Sequence, residues 1–387
     1  MRTRILASID TVTAGEWNAL AAAGAPFLRH EFLAALEHRH CVGADSGWSP
    51  CHLTISDERG VLLAAMPLYR KLHSWGEFVF DFAWAQAYAR HGLDYYPKLV
   101  SAIPFTPASG PRLLVRPGTD AAALRRELLD QVLQFAADES LSSVHVLFPA
   151  RAEAQELAAR GLLLRRDCQF HWHNHGYADF DAFLQTFTAE KRKKARRERR
   201  RVAEAGIEFR ALHGAQIDER SWRRIHALHT DTFLRHGHTP YLGVDFFLEI
   251  ARTMPENLVV QAALRGSHLV AAAICFRGAG TLYGRYWGAS EEHHSLHFET
   301  CYHQGIEYCI REGLQRFEPG TQGEHKVSRG FQPALTWSAH WIADSRFARA
   351  IETYLQRERA AVDEYAAQVA EHVPFKERSD PADAVNL

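Results

Sequence analysis

The chain has 387 residues, 47% of them apolar and 24% charged, with 45 Lys+Arg against 46 Asp+Glu. This is ordinary globular composition at a length of two to three domains, which excludes a wholly disordered chain. A formal charge of −1 excludes nucleic-acid binding by bulk charge, so any basic partner surface must be local.

The 23 histidines will turn the net charge positive under mild acid. The six cysteines, at 41, 51, 168, 275, 301 and 309, form no CxxC pair, and several lie in apolar runs. They read as reduced, mostly buried thiols. The first residues, MRTRILASIDTVTAGEW, lack the apolar core of a signal peptide, and no stretch approaches the ~18 apolar residues of a membrane span. A cytoplasmic protein is expected, without integral membrane contact, structural zinc or a disulfide scaffold.

In chain order, Trp17, Leu20, Phe32, Leu33 and Leu36 recur near the helical period, with Pro26 ending a first helix. CHLTIS (51–56) and VLLAAMPLYRK (61–71) flank Asp57-Glu58-Arg59-Gly60 as strand, turn and strand. GEFVFDFAWA (76–85) alternates like a strand, and YARHGLDYYPKL (88–99) leads to a proline-rich irregular loop over 103–114. A helix over 120–137, a buried strand over 142–149, a helix over 152–161 closed by Gly161 and a strand over 167–174 follow.

Phe180, Phe183, Leu184 and Phe187 give one apolar helical face. Then nine of the eleven residues from Lys191 to Arg201 are basic, and Glu198 is the single acid among them. Gly206 is a C-terminal cap before a strand over 207–212. Helices are expected over 221–234 and 244–253, strands over 258–266, 268–278 and 281–289, a helix over 296–313, and a strand over 314–320 that enters the loop 321–333. Both halves thus place strand, turn and strand before an aromatic segment ending at Trp84-Ala85 or Trp287-Gly288. This order predicts two copies of one α/β unit built on an antiparallel meander.

The loop Gly320–Gly330 carries the densest chemistry. Its glycines allow close backbone approach, Glu324 or His325 can take a proton, and Lys326 and Arg329 can hold an anion or a developing oxyanion. The alternative is a polar surface hairpin. Alternation along 281–289 puts Tyr283, Arg285 and Trp287 on one face. Glu77, Asp81, Tyr95, Tyr96 and Lys98 are polar groups within aromatic sequence, as in a pocket lining or a domain rim. His171, His173 and His175 share a strand face, and His293, His294 and His297 include an i, i+4 pair, yet no HExxH accompanies them and no metal site is assigned. The basic run fits either a phosphate backbone or a solvated helical face. No aromatic residue interleaves 188–206 for base stacking.

The segments SWGEFVFDFAWA, YYPKL, IPFTP, QFHW, YGRYWG, LHFETCYHQGIEY and FEPGTQGEHKVSRGFQP resemble the FemAB-like family of bacterial acyltransferases, which carry peptidoglycan-biosynthesis or GNAT-type labels. The resemblance covers most of the chain, and the last motif is its most specific part. The family is similar to the Fem aminoacyl transferases, which carry two tandem GNAT-like domains. It implies an α/β (α+β) fold of two such domains, each a mostly antiparallel twisted sheet flanked by helices. They are expected over 1–178 and 179–387, the second carrying the basic helical segment 188–206.

The resemblance also implies transfer of an acyl or aminoacyl group to an amine. The co-substrate is then acyl-CoA or aminoacyl-tRNA, with no tightly bound cofactor. Ordinary GNAT enzymes grip CoA with a Q/RxxGxG/A turn before a helix. Here Trp287-Gly288-Ala289-Ser290-Glu291-Glu292 holds that place, and its two acids repel a pyrophosphate.

The expected catalytic residues are Glu324, His325, Lys326 and Arg329. The expected substrate-binding residues are Glu77, Asp81, Trp84, Tyr95, Tyr96, Lys98, Arg285, Trp287, His297, Glu299 and Gln322. Arg196, Arg197 and Arg200 would meet a nucleic acid such as tRNA. The contrasting reading is a catalytically inert RNA-binding or adaptor protein on a GNAT-like scaffold.

Overall fold

The computed structural model describes residues 1–21, 24–321 and 323–376. Two compact units share the chain: Met1–Asp167 with Thr336–Asp363, and Cys168–Leu335 with Glu364 onward. The division expected at 178 therefore differs in two ways. Residues 168–178 go with the second unit, and 336–363 return to the first.

The first unit begins with β1 (Arg2–Leu6), α1 (Ala14–Asn18), α2 (His30–His38), β2 (Trp48–Pro50), β3 (His52–Ser56), β4 (Leu62–Met66) and β5 (Tyr69–Lys71). Then come α3 (Phe82–Arg90), β6 (Lys98–Ser101), β7 (Leu114–Val115), α4 (Ala121–Asp138), β8 (Ser143–Leu147) and α5 (Arg151–Ala159). β9 (Leu163–His173) crosses into the second unit, which holds α6 (Phe180–Gln185), α7 (Ala189–Glu204), β10 (Ile207–His213), α8 (Glu219–Arg235), α9 (Val244–Thr253), β11 (Leu258–Arg265), β12 (His268–Arg277) and β13 (Thr281–Ala289). Next, α10 (Leu296–Phe298) runs through a π-helical turn (Glu299–His303) into α11 (Gln304–Arg311), and β14 (Arg316–Glu318) leads to a 3-10 turn (Glu324–Arg329). β15 (Gln332–Ile342) returns to the first unit, and α12 (Ser345–Ala370) leaves it again.

In the first unit β1, β3, β4 and β7 form one antiparallel sheet. The β3–β4 hairpin closes as its sequence dictates: the Asp57 carboxylate accepts from the Arg59 and Val61 amides, and Gly60 takes φ +85°. A second sheet orders β8, β6, β5 and β2, with the far half of β15 antiparallel to β8. α4 packs its Leu124, Leu128, Leu129 and Val132 into the core with Leu53, Ile55, Leu99, Val144 and Val146. In the second unit β10–β11–β12–β13 is an antiparallel meander, and β13 then pairs parallel to β14.

The internal repeat is present, but in another register. The expected strand over 76–85 is an irregular segment followed by α3. Two of its carbonyls are bonded outside any ladder, Gly76 by the Phe105 amide and Phe80 by Arg165, as is that of the preceding Trp75, by the Trp48 indole N–H. Trp84 and Tyr88, four apart, are the buried face of α3 instead. The partner of β13 is β6. Each is followed by a crossover helix and a parallel strand, with three paired residues: Leu99–Ser101 against Val144–Val146, and Thr281–Tyr283 against Arg316–Glu318. The sequence reading also missed β1, β15 and α12, and took the helical turn 324–329 as loop.

Gly288 sits where β13 passes under α8. A Cβ there would lie 2.1 Å from the Leu228 carbonyl carbon. Gly288→Ala should therefore destabilise the protein by about 2–3 kcal/mol, because backbone and not a flexible side chain must move. Thermal unfolding of the variant measures this.

Candidate active site

The second unit gathers most of the chemistry read from its sequence around the 3-10 turn. β14 ends at Glu318, and after Tyr283 and Glu318 the β13–β14 pairing stops. Gly320 and Gly323, at φ +98° and +107°, turn the chain into Glu324–Arg329. A Cβ on Gly323 would strike the His325 ring at 2.2 Å, so only glycine lets that ring lie where it does.

His325 lies on the exposed side of the turn, with Nε2 2.8 Å from the Tyr302 hydroxyl. His297 and Phe298 complete an aromatic group around it. Burial, then the adjoining Lys326 and Arg329 cations, lower the His325 pKa below its ordinary value, so the ring is neutral near pH 7. His297 is pushed down to about 4, first by burial and then by His325.

Lys326 points inward. Its ammonium donates to the Gly320 carbonyl at 2.7 Å, and burial lowers its pKa to about 7. Arg329 is buried, its guanidinium 3.4 Å from the centre of the Phe298 ring, and it donates to the His325 carbonyl. Its charge is met by Glu198 of α7 at 2.8 Å.

The basic run is therefore two-faced. Ala195, Glu198 and Val202 are buried, and Arg199 reaches Glu299 at 3.1 Å and Glu307 at 2.6 Å while stacking over Phe180. Arg196, Arg197 and Arg200 are exposed, and Arg196 and Arg200 pair with the surface acids Asp181 and Glu204. Sequence reasoning noted Glu198 as the lone acid among cations but gave it no role, and that solitude was the available signal.

The other predicted residues divide. Glu324 is exposed, and its carboxylate accepts from Tyr365 of α12 at 2.9 Å. Glu299 is saturated by His303, Gln304 and Arg199. Burial works against its charge, but these bonds outweigh it and hold its pKa at about 2. Tyr283, Arg285 and Trp287 do not share one face: Tyr283 falls on the side of Tyr286, and Trp287 on the other. The β12–β13 register slips at Arg285, an extra residue enters β13, and alternation is broken. Tyr286 then packs on His229 and Phe247, whereas Trp287 packs on His297. Gln322 lies outside the described residues. Among the described residues no His, Cys, Asp or Glu group of three or more is placed to hold a metal, so the two histidine groups do not form one there.

The first unit has its own polar cluster, and Glu77, Asp81, Trp84, Tyr95, Tyr96 and Lys98 all converge in it. Fully buried Lys98 donates to Glu77 at 2.9 Å, to Asp81 at 2.5 Å and to Ser74 at 2.9 Å. Ser74 also bonds Asp81 and the Tyr96 hydroxyl. Tyr95 donates to Asp81 at 2.6 Å and contacts His145, which meets His340 Nδ1 to Nδ1 at 2.6 Å. The Trp84 ring packs edge-on against His340. Burial raises the Glu77 carboxyl to about 7 against the pull of Lys98, and lowers Lys71 to about 7. Sequence reasoning missed Lys71, Ser74, His145 and His340. The last two arrive on β8 and β15, far apart in the chain.

A meander leading through a crossover helix to a parallel strand, present twice, defines a tandem GNAT-like acyltransferase fold. The chain matches the FemAB-like family, described as peptidoglycan biosynthesis/recognition, over residues 8–377, and it belongs to that family. The expected resemblance, fold class and acyltransferase class are thereby borne out. Among solved structures it is similar to FemX, with 11% identity and a TM-score of 0.54 over 91% of this chain and 100% of that one. It is similar to the C-terminal domain of a putative lysylphosphatidylglycerol synthetase from Agrobacterium fabrum, with 9% identity and a TM-score of 0.52 over 94% and 98%. L-PGS from Bacillus licheniformis matches at 12% identity and a TM-score of 0.51 over 84% and 95%. At these identities the likeness is one of fold. No curated protein sequence matches the chain.

Two stability outcomes follow from the turn. Glu198→Ala strands the buried Arg329 charge and should destabilise the protein by about 3–5 kcal/mol, whereas Glu198→Ala with Arg329→Met should recover part of the loss. Denaturant melts of the two variants decide this. Lys326 titrates near 7 when folded and near its ordinary 10.5 when unfolded. Below about pH 7 the fold bears a buried charge that unfolding releases to water, and the penalty fades as pH rises toward about 10. Lys326→Met should thus gain stability relative to the wild type as pH falls through this window. Melting temperatures of both proteins across that range test the sign.

Proposed function

We propose that the chain transfers an acyl or aminoacyl group from an ester or thioester donor to an amine, at the turn 324–329 of the second unit. The observation that carries this reading is His325: a neutral imidazole on an exposed edge, fixed by Tyr302 and flanked by Lys326 and Arg329. In the tautomer whose Nε2–H donates to the Tyr302 oxygen, Nδ1 carries the lone pair that can take a proton. The acceptor amine attacks the donor carbonyl carbon, forming the C–N bond, and the C–O or C–S bond to the carrier breaks. His325 takes the amine proton and returns one to the leaving oxygen or sulfur. Lys326 and the backbone N–H groups of the turn stabilise the oxyanion. Glu324, exposed and bonded to Tyr365, serves less well as the base than His325.

The donor is the finer question. The exposed basic face of α7, including Arg196, Arg197 and Arg200, favours an aminoacyl-tRNA. Acyl-CoA is the alternative, and Glu291 at the head of the following segment is engaged with Arg265 and His293. The acceptor in this reading is an amine of a cell-wall or lipid precursor, in keeping with the family description, and the site of action is cytoplasmic.

Charged tRNA and acyl-CoA, each supplied with hydroxylamine as surrogate amine, give a hydroxamate assay. One donor should be consumed, and His325→Ala should lower turnover by about 10²–10⁴-fold with little change in donor binding. Glu324→Gln should stay near wild type. Loss in Glu324→Gln with an unaffected His325→Ala would remove His325 from the mechanism. RNA binding blind to charging, without turnover, would favour the inert adaptor reading.

A further inference from the structure

The segment 72–83 of the first unit is turned inside out. Its two acids, Glu77 and Asp81, are buried on Lys98, and its one imidazole, His73, is half-buried with a lowered pKa. Its large apolar side chains point the other way: Leu72 is 52% exposed, Trp75 56% and Phe80 50%. Phe78, Val79 and Phe82 are partly exposed, and no charged side chain of the segment is exposed.

This arrangement is held, not floppy. The Trp75 carbonyl accepts from Lys71 and from the Trp48 indole N–H, the Gly76 carbonyl from the Phe105 amide, and the Phe80 carbonyl from Arg165. Arg165 is itself anchored by Glu358 at 2.7 Å. Gly76 takes φ +82°, and a Cβ on it would meet the Phe105 ring at 2.7 Å. Phe78 takes φ +59°, which a bulky residue adopts only when its surroundings impose it. Outside, the rings order one another, with Phe80 stacked on Phe82 at 5.7 Å and Trp75 tilted against Phe82 at 5.2 Å. The segment therefore presents apolar rings to solvent and keeps its own acids behind them.

An exposed apolar patch of this kind needs an occupant. Three half-exposed side chains offer roughly 300 Å². That is well below the ~800 Å² per partner of a stable protein interface, which argues against a second copy of this chain. A bilayer interface sets no such minimum and takes Trp, Phe and Leu at headgroup depth. No helix among the described residues is long and apolar enough to cross a membrane, so such contact would lie on the surface. We propose that the segment 72–83 docks the protein on a lipid bilayer by inserting Leu72, Trp75 and Phe80 into the interface. The contact is apolar and independent of the basic face of α7.

Vesicle flotation of the full chain tests this. Uncharged phosphatidylcholine vesicles in high salt remove any electrostatic pull from α7. The wild type should float with them, and Trp75→Ser with Phe80→Ser, both at exposed positions, should weaken binding by about tenfold or more. Reversing Arg196, Arg197 and Arg200 to Glu should leave it unchanged. The proposal is overturned if the wild type does not float, if the loop variant floats equally well, or if binding needs anionic lipid and is lost with the α7 charges. Sedimentation of both proteins supplies the remaining arm. A concentration-dependent dimer abolished by the loop variant would assign the patch to a second copy instead.

Discussion

The Glu198–Arg329 ion pair is the constraint on which the second unit is built. A helix with nine cations in eleven positions repels itself and has little apolar surface with which to dock. One carboxylate at position 198 converts that liability into an attachment, because it meets a guanidinium that has no other acid within reach among the described contacts. Arg199, on the next position, clamps Glu299 and Glu307. The inner face of α7 thus fixes both the turn 324–329 and the helix that supplies His297, Phe298 and Tyr302. The outer face is left free to carry its charge into solvent. Truncating one partner of such a buried pair is costly even where the pair adds little net stability, since the survivor keeps its charge without water.

The same device recurs in the first unit with different results. There Lys98 pulls Glu77 and Asp81 inward, Tyr95 and the paired His145 and His340 extend the network, and all of it is removed from water. In both units burial brings a lysine down to about 7, Lys326 in one and Lys71 in the other. Each unit also uses the short parallel pair at the end of its meander as the floor of its polar cluster. Lys98 opens β6, and the turn 324–329 follows β14. Repetition of the fold thus carries repetition of the strategy, while the side chains themselves have diverged.

Much of this was legible from sequence where local physics decides. Turn chemistry at Asp57–Gly60, the cap at Gly206, the meander strands and the basic helix all follow from residues that act on their neighbours. The Gly320–Gly330 segment was also recognisable, because glycines, a histidine and cations crowd into eleven positions. Failures came where distant groups override local pattern. Residues 76–85 alternate like a strand, yet Lys98 captures two of their side chains and distant donors capture two of their carbonyls. The bulge at Arg285 shifts a face that strict alternation assigned wrongly. Exposed β1 carries no apolar period to betray it. His340 joins a site whose other members lie 195 or more residues earlier, a juxtaposition that only β15 pairing with β8 creates.

The central claim is that the donor engages the turn 324–329. Backbone hydrogen exchange of the full chain, followed by mass spectrometry with charged tRNA or acyl-CoA added, measures this directly. The account predicts that one of the two donors slows exchange in the peptide spanning His325 to Arg329, and that the α7 peptide slows with it if the donor is tRNA. Protection by either donor that is confined to other segments, with 325–329 exchanging as in the free protein, would contradict it.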